Sequence, residues 1–151
     1  MKIKGECEEE TSVERIKVEE LGRKATFVNE EHNTYRKTQM DGCVVKNQLA
    51  ADWVVSRANI GDVIIELKGR HVEHAVRQIR ATAGFLTDGD YREGRLAGLV
   101  VCTQFPKAST TVQRAQAEFA RAFKGPLHVV TQNLEYAFEN VLSFKGPHRS
   151  D

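Results

Sequence analysis

Asp62-Val63-Ile64-Ile65-Glu66-Leu67-Lys68-Gly69 decides the reading of this chain, together with the upstream segment Ala50-Ala51-Asp52-Trp53-Val54-Val55. As a strand, the first segment sends Val63, Ile65 and Leu67 to one side and Ile64, Glu66 and Lys68 to the other. A carboxylate and an amine then share a face among Val and Ile, where burying unpaired charge is costly. The simplest account is an edge strand with a wetted polar face and an ordinary surface ion pair, since Glu-x-Lys arises by chance in many chains. Two further features make the constellation more specific. Asp52 is an isolated acid at the head of a second apolar strand, and a basic amphipathic helix follows directly after Gly69.

That helix carries Val72, Ala75, Val76, Ile79, Ala83 and Leu86 at helical spacing, with Glu73, His74, Arg77, Gln78 and Arg80 on its other face. Thr87 to Gly94 is rich in turn residues, and Leu96 to Cys102 is an unbroken apolar run, the pattern of a strand covered on both faces near the centre of a sheet. Pro106 to Ser109 ends that strand, with Ser109 a cap for a helix through Val112, Ala115, Phe119, Ala122 and Phe123. Lys124-Gly125-Pro126 stops the helix, by a glycine in the left-handed region and a residue that cannot continue it. Leu127 to Val130 reads as a short last strand, Leu134 to Leu142 as a terminal helix, and the chain from Lys145 as a loose tail.

Upstream the patterns are weaker. Residues 6–20 fit either a helical stripe of Val13, Ile16 and Leu21 or a strand alternation of Ile16 and Val18, and the reading leans to helix. Ala25 to Val28 and Thr34 to Gln39 read as a hairpin across a five-residue loop, and Asp41-Gly42 as a bend before Cys43-Val44-Val45. If Cys43 to Val45 pairs with the Asp52 strand through a short even loop, Cys43 lies opposite Asp52 and Asp41 opposite Val54; an odd loop reverses that parity. Single-helix crossovers from residue 69 onward imply parallel strands, and the hairpins before them antiparallel ones. The fold class is therefore α/β, a mixed central sheet flanked by helices on both faces.

With 151 residues, the chain fits one domain: an acid-rich segment over 1–24, a core over about 35–131 and a C-terminal helix and tail over 133–151. A composition 40% hydrophobic and 28% charged, without a membrane-length apolar run or a signal-peptide core, points to a cytoplasmic protein with no membrane partner. Cys7, Cys43 and Cys102 are far apart and read as buried reduced thiols; no Cys-x-x-Cys supports zinc, and His71 and His74 read as solvent-facing. A net charge of +1 excludes a nonspecific nucleic-acid coat, so any nucleic-acid face must be a local patch. Trp53 and Tyr35 read as packing residues rather than base-stacking platforms.

Asp52, then Glu66-Leu67-Lys68, then a helix is an order that resembles the PD-(D/E)XK superfamily of nucleases, over roughly residues 35–131. The resemblance implies a restriction-endonuclease-like αβββαβ core and metal-dependent hydrolysis of DNA phosphodiesters, with Asp52, Glu66 and Lys68 catalytic. It also implies Mg²⁺, with Mn²⁺ substituting, held by the Asp52 and Glu66 carboxylates and the Leu67 carbonyl; a hard cation of this kind takes oxygen ligands and keeps several waters. Lys68 would orient or deprotonate the attacking water, or offset phosphate charge. An additional acid from an N-terminal helix falls to Glu14, Glu19 or Glu20, with Asp41 as a strand-borne competitor. Gln78 is a supporting residue in some branches, where a tyrosine follows four residues later; Thr82 stands there instead, and a solvated Gln78 is an equal reading. Arg70, His74 and Arg77, with His71 and Arg80 beside them, suit a phosphate-binding rim or a solvated helix face. Alternative functions are a homodimeric Holliday-junction resolvase, or a catalytically silent domain that binds nucleic acid or protein. So short a chain leaves little room for base readout, which implies a larger targeting partner.

Overall fold

Alternation along the strand Gly61–Gly69 separates two apolar layers, and the whole molecule is packed on its two faces. A computed structural model of the chain describes residues 5–69, 71–102, 109–131 and 135–147, apart from the side chains of Lys68 and Ser109. In chain order the strands and helices are β1 (Glu8–Thr11), β2 (Arg15–Glu20), β3 (Arg23–Val28), β4 (Tyr35–Gln39), β5 (Trp53–Arg57), β6 (Gly61–Gly69), α1 (Val72–Asp88), β7 (Arg95–Cys102), α2 (Ser109–Phe123), β8 (Leu127–Val130), β9 (Glu135–Tyr136) and α3 (Phe138–Val141). Six strands form a mixed sheet in the order β1-β4-β5-β6-β7-β8, and three form a smaller one in the order β2-β3-β9. Neighbours from β1 to β6 are antiparallel and those from β6 to β8 parallel, as single-helix crossovers require.

One face of the large sheet, through Val54, Ile64, Leu96 and Val100, meets Val72, Ala75, Val76, Ile79, Ala83 and Leu86 of α1 and Val112 and Phe119 of α2. The opposite face, through Val55, Val63, Ile65, Leu67, Ala97, Leu99 and Val101, meets Ile16, Val18, Ala25 and Phe27 of the small sheet with Tyr136, Phe138 and Val141. A three-stranded sheet and the one-turn α3 thus cover this face, where a second helical layer was expected. Tyr35 belongs to that layer, edge-on to Phe138 at 5.1 Å, and half-buried Trp53 packs against it.

The departures from the expected pattern lie upstream of β5 and after β8. Residues 8–11 and 15–20 are strands rather than a helix: Ile16 and Val18 alternate into the core while Arg15, Lys17 and Glu19 face solvent, a period of two. β3 pairs with β2 and β9, and β4 with β1 and β5, so the expected β3–β4 hairpin is a crossing between sheets. Cys43 to Val45 is a loop, and Met40, not Cys43, lies across from Asp52. Of the expected terminal helix, residues 135–136 form β9 and only Phe138–Val141 is helical. At the end of α2 the left-handed residue is Lys124, φ +59°; Gly125 is needed because a Cβ there would lie 1.6 Å from the Leu96 carbonyl oxygen. Pro106 and Leu134 lie outside the described residues, as does the Ser109 side chain expected to cap α2.

Cys7 and Cys43 form a disulfide, correcting the expectation of three reduced thiols. Sequence spacing concealed it because β1 returns beside β4, bringing the residue before the edge strand next to the loop after β4. A 36-residue separation corresponds to about 4 kcal/mol of stabilisation in the chain-entropy description of a cross-link. Cys102 is the free, buried thiol, and burial pushes its pKa up.

Candidate active site

Trp53 opposes Ile65 and Val54 opposes Ile64 in the antiparallel β5–β6 pair; one residue further, Asp52 opposes Glu66. Directly opposed residues share a face, here the α1 face with Val54 and Ile64. The backbone ties the two acids crosswise. The Asp52 N–H donates to Glu66 Oε1 at 3.2 Å, and the Leu67 N–H donates to Asp52 Oδ2 at 2.9 Å. Asp52 is 4% exposed and Glu66 0%.

A register shift between Glu66 and Gly69 explains how a backbone N–H in a strand reaches a side chain. Glu66 pairs with Val100 but Gly69 with Cys102, so β6 has one residue more than β7 over this stretch. Alternation carries through Leu67, which joins Val63 and Ile65 in the layer against the small sheet. The Lys68 side chain and Arg70 lie outside the described residues.

Helix α1 holds the segment before Asp52 through two polar side chains beside its apolar stripe. Gln78 Nε2 donates to the Ala50 carbonyl at 3.1 Å, and the Ala51 N–H donates to Thr82 Oγ1 at 2.9 Å. Both side chains are buried, which corrects the solvated reading of Gln78 and gives Thr82 a role the sequence did not suggest. Gln78 and Thr82 lie one helical turn apart, flanking Ile79, so both reach the same segment. Thr82→Val is expected to cost about 1–3 kcal/mol by leaving the buried Ala51 N–H unpaired, with Thr82→Ser close to wild type, in urea unfolding. Equal stability of all three would remove Thr82 from this role.

Other candidates are placed elsewhere. Asp41 is exposed, its N–H donating to the Ala51 carbonyl at 3.1 Å, so it lies across from Ala51 rather than Val54 and outside the face of Asp52. Glu14, Glu19 and Glu20 precede or lie on β2, which packs against the opposite face of the large sheet, so none joins the acid pair. His74 and Arg77 are exposed on α1, and His71 just before it; Arg80 pairs with Glu118 of α2 at 3.0 Å, an exposed contact worth little. Among the described residues no three His, Cys, Asp or Glu side chains converge to hold a metal. The donor set at the pair is two carboxylates with the neighbouring backbone, all oxygen, which fits a hard divalent cation and no soft one.

A second polar cluster occupies the other end of β6. Asp62, 1% exposed, accepts from the Ser56 hydroxyl and from the Glu93 N–H at 2.8 Å. Arg36 bridges Glu8 at 2.9 Å and Glu93 at 3.0 Å. Burial raises the Asp62 carboxyl above its ordinary value, against the pull of Ser56, the Glu93 N–H and Arg36. A raised acid stabilises the fold below its unfolded pKa and loses that contribution as pH rises through the folded value. Asp62→Asn is therefore expected to raise the melting temperature at pH 7 and to leave it unchanged below about pH 3.8, the ordinary Asp value. A gain of equal size at both pH values would contradict this origin.

Comparison of the chain with protein-family models, with curated proteins and with solved structures finds no match.

Proposed function

We propose that this chain is a metal-dependent nuclease that hydrolyses DNA phosphodiester bonds, with Asp52 and Glu66 binding Mg²⁺ or Mn²⁺ beside the Leu67 carbonyl and Lys68 as the catalytic amine. The observation that carries the reading is two buried carboxylates, Asp52 just before β5 and Glu66 on β6, each accepting a backbone N–H from the other's segment. Two neighbouring carboxylates are the oxygen donor set that a hard divalent cation suits. When bound, the cation stabilises the charge that develops on the phosphoryl oxygens. Backbone N–H groups of residues 52 and 67 fix the carboxylates, so the ligands do not have to be ordered during the reaction. Lys68 orients or deprotonates the attacking water, or offsets charge on the phosphate.

The order of β4, β5, β6, α1 and β7 is the βββαβ order expected of a restriction-endonuclease-like core, which supports the reading. The helix that opens that core has no counterpart among the described residues, where β1 and β2 stand instead. His74, Arg77 and Arg70 form the phosphate rim. A junction resolvase working as a homodimer uses the same site, and a larger partner supplies targeting. No helix among the described residues is long and apolar enough to cross a membrane. A cytoplasmic setting places the Cys7–Cys43 bond among reducing thiols, where disulfides are usually transient or regulatory.

A second reading is favoured by one observation: Asp52 and Glu66 are almost wholly out of solvent and each accepts a backbone N–H, as in a polar clamp that fixes strand register. In that reading the chain is a silent domain that binds nucleic acid or protein. Purified protein incubated with supercoiled plasmid, linear duplex or single strands separates the two. The nuclease reading expects cleavage with Mg²⁺ or Mn²⁺ and none with chelator; retention of DNA without cleavage under every metal condition would favour the silent domain.

A further inference from the structure

The Cys7–Cys43 disulfide lies within the surroundings of Asp52. Cys43 sits in the connection between β4 and β5, whose turn is held by the Cys43 and Val45 N–H groups on the Met40 carbonyl and the Val44 N–H on the Gln39 carbonyl. Residues 40 and 41 in turn hold the acid-bearing segment, the Met40 N–H donating to the Asp52 carbonyl and the Asp41 N–H to the Ala51 carbonyl. On its other side this loop faces α1 across an open cleft of about 460 Å³, with Val45 and Leu49 on one wall and Phe85 and Thr82 on the other. Thr82 is also the acceptor for the Ala51 N–H. One loop therefore borders both the cleft and the backbone that presents Asp52.

Cys7 stands just before the edge strand β1 and is buried, whereas Cys43 is half-buried, the more exposed of the two. Neither cysteine belongs to the apolar clusters on the two faces of the large sheet, although Val44 and Val45 beside Cys43 pack against the α1 layer. What the bond adds is a covalent tie between the start of β1 and a loop otherwise held by backbone bonds at its two ends and by Val44 and Val45 against the α1 layer.

We infer that the Cys7–Cys43 bond is a redox latch on the Asp52 segment, closed when oxidised and opened by a dithiol reductant. A thiolate of the dithiol attacks Cys43 Sγ, breaking the S–S bond and forming a mixed disulfide while Cys7 leaves as thiolate. The second thiol of the reductant then attacks the mixed disulfide, releasing Cys43. Two electrons pass from the dithiol, which ends as a disulfide, and its two thiol protons balance the two protein thiols. The released loop lets Ala51 and Asp52 move away from Glu66, weakening the site; this consequence for metal rests on the nuclease reading, whereas the release of the loop does not.

The full-length chain, oxidised or reduced with dithiothreitol, is to be compared with Cys43→Ser and Cys7→Ser by hydrogen exchange and by Mg²⁺ titration, with thiol labelling as the check on redox state. In reduced wild type and both variants, exchange is expected to rise over residues 41–51 while 63–67 and 96–101 stay protected. Mg²⁺ affinity should fall about tenfold, the lower end of what loss of a ligand's support costs. Reoxidation should restore wild type and neither variant. Unchanged exchange over 41–51 with both thiols labelled would overturn the latch, as would a rise spread over every strand. If the oxidised protein binds no Mg²⁺, the nuclease reading fails while the exchange pattern still decides the latch.

Discussion

Glu66→Gln is expected to lower single-turnover cleavage of supercoiled plasmid in Mg²⁺ about a thousandfold or more, the size of a several kcal/mol loss of transition-state stabilisation. The substitution is chosen to separate charge from packing. A glutamine oxygen can still accept the Asp52 N–H at the position of Glu66 Oε1, so the β5–β6 junction keeps its bond. On the nuclease reading, the substitution removes one of the cation's two carboxylate ligands. Glu66→Ala also removes the acceptor, and the buried Asp52 N–H then costs about 1–3 kcal/mol in urea unfolding. Full activity in Glu66→Gln would show that this carboxylate has no part in the reaction.

Lys68→Ala is expected to slow cleavage about a hundredfold while leaving the Mg²⁺ dependence of the melting temperature close to wild type. Its neighbours on β6, Val63, Ile65 and Leu67, are fully buried in the layer against the small sheet, so the strand stays anchored when the amine is removed. The chemistry of the amine adds a second expectation. A planar guanidinium does not substitute for a compact ammonium at a water-orienting position, so Lys68→Arg should recover little activity despite keeping the charge. Equal cleavage by wild type and Lys68→Ala would assign the activity to another site.

The parts of the molecule legible in the sequence are those where one period dominates. β6, α1, β7 and α2 each carry an apolar pattern long enough to fix element type, and every stripe residue assigned to α1 is buried. The opposition of Asp52 and Glu66 on one face is equally local, since β5 and β6 are joined by a short turn. Long-range pairing was not legible. β1 and β2 looked helical because short acidic segments hold few apolar residues, and their strand character is completed by β4 and β3. The disulfide follows from that pairing, because the partner of β4 on its outer side is β1, while the displaced Asp41 follows from the β4–β5 register. The burial of Gln78 and Thr82 was hidden for another reason. Polar residues beside an apolar stripe read as solvated unless the backbone they bind is known, here that of Ala50 and Ala51.

The most direct test of the acid pair as a metal site is the melting temperature of wild type and Glu66→Gln across a millimolar titration of Mg²⁺ and of Mn²⁺. Wild type should be stabilised by about 2.7 kcal/mol at a hundredfold excess over the dissociation constant, seen as a rise of several degrees, and Glu66→Gln should not move. A wild-type melting temperature indifferent to both ions, or an equal rise in the two proteins, would contradict metal binding by Asp52 and Glu66.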